Sequence, residues 1–334
     1  MGWRVILSLL SHLSRRMSRC RRGGGVVQAL LITAIVPCLV ACSAEVSSTP
    51  VTQTLPPSST ATDRPITPSV TVSETPRPTG TPSPTPACIE RIGTIQNENY
   101  QSFVLPEQIP YNIYLPPCYG WGDRRYPVLY LLHGLPFDES HWLELGIVEL
   151  VDEKVGSGTW LPLLIVMPRL PEPLFTSSDG GSGSYEEEFL EGLMPHIDQT
   201  YRTLAFGETR AIAGISRGGV WALEIAFRNP DLFDAVAALS PALNVNYARP
   251  PYDPFVIVEE GGRLPARIFL SAGDQEVSFL AKVEELSETL DEHGVIHSFV
   301  IRSGGHDAEA WMGVMEEALD FIIIGWGGDV GSDQ

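Results

Sequence analysis

The stretch Arg210-Ala211-Ile212-Ala213-Gly214-Ile215-Ser216-Arg217-Gly218-Gly219 decides how the rest of the chain is read. Its first half is an apolar run suited to a buried strand. Beyond the serine, Val220, Leu223, Ala226 and Phe227 recur at helical spacing. A serine placed between such a strand and such a helix sits on a sharp turn. That turn strains its backbone and lifts the hydroxyl above the edge of the sheet. The residues two before and two after the serine approach one another, so glycine suits both Gly214 and Gly218. The hydroxyl also lies near a helix N-terminus, where backbone dipoles favour developing negative charge. A bare Gly-x-Ser-x-Gly also fits a glycine-rich turn with a capping serine. The strand before it and the helix after it select the nucleophile reading.

Outward from this turn, apolar runs alternate with amphipathic stretches. "NIYLPP", "YPVLYLLHG", "LPLLIVMP", "AVAALSP", "RIFLSAG" and "HSFVIRS" read as further strands. Several are apolar almost throughout, as strands covered on both faces must be. Helical spacing recurs at Leu143, Ile147, Leu150 and Val151; at Phe189, Leu193, Met194 and Ile197; at Val277, Leu280, Val283, Leu286 and Leu290; and at Ala308, Trp311, Met312, Met315, Leu319 and Ile322. Strand–helix alternation predicts a mostly parallel sheet of about eight strands with helices on both faces. "TIQNENYQSFVLP" and "IPYNIYLPP" read as an antiparallel opening pair.

A serine hydroxyl needs a base, and the base needs an orienting carboxylate. After a strand–serine–helix turn the expected order is acid, then histidine, in loops following later strands. "RIFLSAGDQE" ends a strand and offers Asp274 as the acid. "HSFVIRSGGHDAEAW" ends the next and offers His306 behind two glycines. Asp307, as the neighbour of His306, is badly placed to reach the required ring nitrogen. The loop in "YLLHGLPFDESHW" is expected to supply one oxyanion donor, the Leu135 N–H. Arg217 N–H, directly after the nucleophile, is expected to supply the other. His133 reads as a structural hydrogen-bonder. The polar stretch "PEPLFTSSDGGSGSYEEEFLEG" is expected to shape the substrate pocket, with Glu186, Glu187 and Glu188 as solvated charges at a helix start. His293 and His297 flank a helix end and read as surface residues, and no glycine-rich phosphate loop is present, so neither a metal nor a nucleotide cofactor is expected.

The segments "YLPPCY", "YPVLYLLHG", "LIVMP", "GISRGG", "SAGD" and "GGHDAEAW", in this order, resemble the putative esterase family, which includes esterase D, feruloyl esterases, enterochelin-esterase-like enzymes and mycolyltransferases. The resemblance covers nearly all of residues 88–326. It implies an α/β-hydrolase fold with no large lid domain and a triad of Ser216, Asp274 and His306. It also implies a small-molecule, carbohydrate or lipid ester as substrate. Family members often carry Trp or His soon after the catalytic His-Asp, whereas here Ala308-Glu309-Ala310 precede Trp311. Within the same family an acyltransferase would carry the same triad. A non-catalytic binding domain on this scaffold, or a peptidase, fits the intact triad and the single-domain organisation less well.

The remaining sequence speaks of location. Arg15, Arg16, Arg19, Arg21 and Arg22 precede an apolar run, Val26 to Ala41, that is shorter than the roughly 20 residues a spanning helix needs. The run ends Leu39-Val40-Ala41-Cys42, which resembles the lipobox of bacterial lipoproteins and implies lipid on Cys42. Met17 could serve as the start in place of Met1. Residues 1–42 thus read as a lipoprotein signal, and 43–87 as a Thr/Ser/Pro-rich linker that cannot bury enough surface to fold. Residues 88–326 form the catalytic domain and 327–334 a polar tail. Export with a lipid anchor as the sole membrane contact follows. Cys88 and Cys118 are the only cysteines beyond the leader, so an oxidising compartment would join them in a disulfide. The formal net charge is −19, and removing the six arginines of the leader leaves 16 basic against 41 acidic residues, or −25. Such a surface repels nucleic acid and anionic lipid headgroups.

Overall fold

The computed structural model describes residues 88–327. The leader, Cys42, the linker and the last seven residues lie outside the described residues.

Eight strands form one sheet: β1 (Thr94–Gln101), β2 (Gln108–Leu115), β3 (Val128–Leu132), β4 (Leu164–Pro168), β5 (Arg210–Ile215), β6 (Ala235–Leu239), β7 (Arg267–Gly273) and β8 (Ser298–Arg302). Their spatial order is β1-β2-β4-β3-β5-β6-β7-β8. The β1–β2 and β2–β4 pairings are antiparallel and all others are parallel. The antiparallel opening pair and the mostly parallel eight-stranded sheet therefore agree with the sequence reading.

The helices, in chain order, are α1 (His141–Glu144), α2 (Ile147–Gly156), α3 (Tyr185–Glu187), α4 (Met194–Thr200), α5 (Arg217–Arg228), α6 (Pro254–Glu259), α7 (Val277–Glu292) and α8 (Ala308–Ile323). A π-helical turn, Glu188–Leu193, joins α3 to α4.

The near-continuous apolar strands follow from burial on two faces. In β3 the side chains of Val128, Tyr130 and Leu132 enter one core, while Leu129 and Leu131 enter the other. The first core takes the inner face of α5 and of α7, and the second takes α8. Three residues counted on apolar helix faces are exposed instead: Val277, Ala308 and Met312. Val277 is the first residue of α7, Ala308 is the first of α8, and Met312 lies in the second turn of α8.

Cys88 and Cys118 are joined by a disulfide. It closes a loop of 30 residues and ties the start of the described chain to the turn after β2. Chain-entropy reasoning gives a stabilisation of about 3–4 kcal/mol for a loop of that size.

Candidate active site

Ser216 follows β5 and caps α5 with φ 55° and ψ −117°, in the strained region the sequence required of it. Three backbone hydrogen bonds hold this conformation. Ser216 N–H donates to Leu239 O on β6 (2.9 Å), and the Ser216 carbonyl accepts from Val220 N–H (3.2 Å) and Ala242 N–H (3.0 Å). The flanking glycines are sterically obligatory. A Cβ on Gly214 would overlap the Gly218 carbonyl, and one on Gly218 would overlap the His133 carbonyl.

His306 Nε2 lies 2.8 Å from Ser216 Oγ, and His306 Nδ1 lies 3.0 Å from Glu276 Oε1. A carboxylate only accepts, so Nδ1 carries the proton and Nε2 is free to accept from the serine hydroxyl. The side chain of Glu276 is 1% exposed. Its second oxygen accepts from Gly273 N–H at 3.2 Å, which fixes the carboxylate against the end of β7.

The structure thus corrects one expectation. Asp274 does not reach His306. It is exposed, and its Oδ1 accepts from Gly304 N–H at 3.0 Å, while its own N–H donates to Arg302 O at 2.8 Å. Asp274 ties the loop after β7 to the loop after β8. The turn from Gly273 to Glu276, closed by Glu276 N–H donating to Gly273 O (3.2 Å), points the side chain two residues later inward. Glu276 stood in the same loop of the sequence. Only its extra methylene and this turn distinguish it from Asp274.

The His306 ring is flanked by Phe279 at 4.2 Å and stands perpendicular to Trp311 at 5.1 Å, so packing as well as hydrogen bonding orients it. Asp307 caps α8, accepting from Ala310 N–H at 3.1 Å.

Arg217 is the first residue of α5, directly after Ser216, so its N–H has no partner within the helix. Leu135 follows Gly134, whose Cβ position would lie 3.1 Å from Ser216 Cβ, so this loop runs directly past Ser216. His133 is structural. Its Nε2 accepts from Leu170 N–H at 2.9 Å and its Nδ1 donates to Gly134 O at 3.0 Å. Burial pushes its pKa down to about 4, so it stays neutral. A cavity of about 490 Å³ opens beside Leu135, Pro136 and Phe137, with Arg169, Leu170 and Phe175 on its other wall.

The polar stretch after β4 is anchored more firmly than its composition suggests. The Arg217 side chain donates to Phe175 O (3.1 Å), Ser177 O and Asn246 Oδ1 (3.0 Å). Of the three acids expected in solvent, two are buried. Glu188 is fully enclosed and accepts from Ser102 Oγ and from the N–H groups of Phe103 and Val104. Glu186 accepts from Arg228, Asn229 and Gly181 N–H. Dense donors make that burial tolerable, and the sequence carries no mark of them.

Behind this anchor lies Glu224, fully buried, with one oxygen accepting from Asn246 Nδ2 at 3.0 Å and the other without a partner among the described residues. Desolvation raises its pKa to about 8, opposed by the charge of Arg217 and the hydrogen bond from Asn246. The folded state therefore holds a proton that the unfolded chain has released. This contribution to stability is complete below the unfolded value of 4.5 and is lost as pH rises through about 8. Glu224→Gln should flatten the decline in stability between pH 5 and pH 8, measured as denaturant midpoints across that range. A variant and wild type with parallel pH curves would contradict it.

The family model described as "Putative esterase" matches residues 102–322. The chain belongs to this family. An "Endo-1,4-beta-xylanase/feruloyl esterase" of Xylanibacter ruminicola is 33% identical over 158 residues, which is 44% of this esterase-family chain and 22% of the relative. An esterase of Mycobacterium tuberculosis is 37% identical over 123 residues, covering 34% of the chain and 25% of the relative. The chain thus spans about a quarter of these two curated relatives. Among solved structures, a ferulic acid esterase superposes with a TM-score of 0.64 at 27% identity, covering 71% of this chain and 99% of the other. The α/β-hydrolase fold without a large lid is shared with these structural neighbours.

Proposed function

We propose that this chain hydrolyses carboxylic esters through an acyl-enzyme on Ser216. The observation that carries the reading is the unbroken line from Ser216 Oγ through His306 to the buried Glu276 carboxylate. His306 takes the serine proton as Oγ attacks the ester carbonyl. Glu276 holds the required tautomer and stabilises the imidazolium that forms. The N–H groups of Arg217 and Leu135 receive the oxyanion. His306 then returns the proton to the departing alcohol, and water attacks the acyl-enzyme by the same route in reverse. The feruloyl esterase names among the relatives favour an aryl or similar acyl group. A hydrolysis panel of acetyl, feruloyl, long-acyl and peptide substrates on the purified chain tests the class. Turnover of esters but not amides is the expected result, and peptide cleavage alone would overturn it. Transfer to an added alcohol in preference to water would recast the chain as an acyltransferase.

We further propose that the chain is exported and held at a membrane by lipid on Cys42, with the Thr/Ser/Pro-rich stretch as a stalk. The basic block, the apolar run and Leu39-Val40-Ala41-Cys42 support this, and the Cys88–Cys118 disulfide suits an oxidising compartment. Stable anchoring takes more than one acyl chain, as a bacterial lipoprotein provides. Expressed in the native host, Cys42→Ser should move the protein from the membrane fraction to the soluble one. Retention equal to wild type would mean that the anchor lies elsewhere.

A further inference from the structure

Beside His306 the site holds polar atoms that the proposed chemistry leaves unused. The His141 ring is 2% exposed, and neither of its nitrogens has a hydrogen-bond partner among the described residues. The Trp311 indole Nε1, in a residue 3% exposed, is buried and unpartnered as well. Buried polar groups are almost always paired, because an unmet donor or acceptor forfeits its hydration with nothing in return. Two such groups in one cluster call for a partner.

The rings form a connected group. Phe137 lies flat on His141 with centroids 3.8 Å apart and planes 3° apart. Trp311 stands perpendicular to both, at 6.2 Å from Phe137 and 5.5 Å from His141, and reaches His306 at 5.1 Å. Phe137 is the exposed member, at 38%, and also lines the 490 Å³ cavity beside Leu135. Phe137 thus covers one face of the His141 ring and borders that cavity.

The donor and acceptor count sets what a partner must offer. Burial lowers the pKa of His141 to about 4, so the neutral ring offers one acceptor and one N–H, and Trp311 offers one N–H. An alcohol hydroxyl, which both donates and accepts, satisfies one nitrogen of each. Its place in the substrate follows from the reaction. The leaving oxygen must come within reach of His306 Nε2 to be protonated, so the alcohol arm of the ester departs past His306 and the Trp311 that packs on it.

Resting on the assignment of Ser216 and His306 above, we infer that His141 and Trp311 Nε1 form a specificity-determining pair that reads a hydroxyl on the alcohol arm of the ester, with Phe137 as a cover that swings aside when it docks. His141 is then a residue kept at a cost in stability for the sake of recognition.

Two esters with the same acyl group and near-isosteric alcohol arms, 4-hydroxybutyl butanoate and pentyl butanoate, test this by acid release in a pH-stat. Wild type should favour the hydroxylated ester about tenfold or more in kcat/KM, and His141→Phe should bring the ratio close to one. The apolar ring should also raise the thermal midpoint by about 2–4 °C, since it removes unpaired polar atoms. No preference in wild type, or an undiminished ratio in His141→Phe, would overturn the inference. Should that variant fold poorly, Phe137→Ala provides a second route. It should expose His141 to carbethoxylation by diethyl pyrocarbonate, read by mass spectrometry, where wild type is protected. Continued protection would overturn the role of Phe137 as cover. Hydrolysis of neither ester by wild type, with no fluorophosphonate label on Ser216, would refute the underlying site assignment as well, and is distinct from loss of the hydroxyl preference alone.

Discussion

Ser216→Ala is expected to abolish covalent labelling by a fluorophosphonate probe and to lower kcat on any hydrolysed ester by roughly 10⁴–10⁶-fold. Removing a nucleophile from such a unit leaves only the oxyanion donors and substrate binding to act. The effect should be confined to catalysis. Ser216 is held by its backbone bonds to Leu239, Val220 and Ala242, and none of these involves its hydroxyl. The variant should therefore unfold near the wild-type temperature. Labelling equal to wild type would place the nucleophile elsewhere.

The second large effect separates two carboxylates two residues apart. Glu276→Gln should reduce kcat by about 10³–10⁴-fold, because an amide no longer holds His306 in the required tautomer or stabilises its charged form. Asp274→Asn should change kcat by no more than about threefold. The asparagine oxygen can still accept from Gly304 N–H, and the position is exposed. Steady-state kinetics of the two variants on one ester decide the matter. The opposite ranking would return the role of orienting acid to Asp274.

This pair shows where legibility in the sequence ends. The serine turn was readable because its constraint is local. A strained serine between a strand and a helix demands Gly214 and Gly218 at fixed offsets, and the steric reason for each appears unchanged in the fold. His306 was readable because few histidines follow a late strand. The acid was not, because Asp274 and Glu276 occupy one loop and both are carboxylates. Which of them faces inward depends on a four-residue turn and on the length of one side chain.

Burial of polar groups was equally hidden. Glu186 and Glu188 have the look of solvated charges at a helix start, and nothing adjacent in the chain provides their partners. Those partners are Arg228, Asn229, Ser102 and the N–H groups of Phe103 and Val104, all distant in sequence. His141 went unremarked for the same reason. A histidine beside a tryptophan in a polar loop carries no signal until Phe137 and Trp311 close around it.

By itself, then, the sequence determined what short-range rules encode: the strands through their apolar runs, the helices through their spacing, the mostly parallel sheet through their alternation, the glycine-framed turn that holds Ser216, and the pairing of the only two cysteines beyond the leader. The tertiary structure alone decided which of two neighbouring carboxylates orients His306, which acids are buried, and which ring nitrogens are left without a partner. Periodicity and turn chemistry act over a few residues and leave their trace in the order of the chain. Hydrogen-bond partners are chosen by proximity in space, and proximity across the sheet is settled only when the strands have packed.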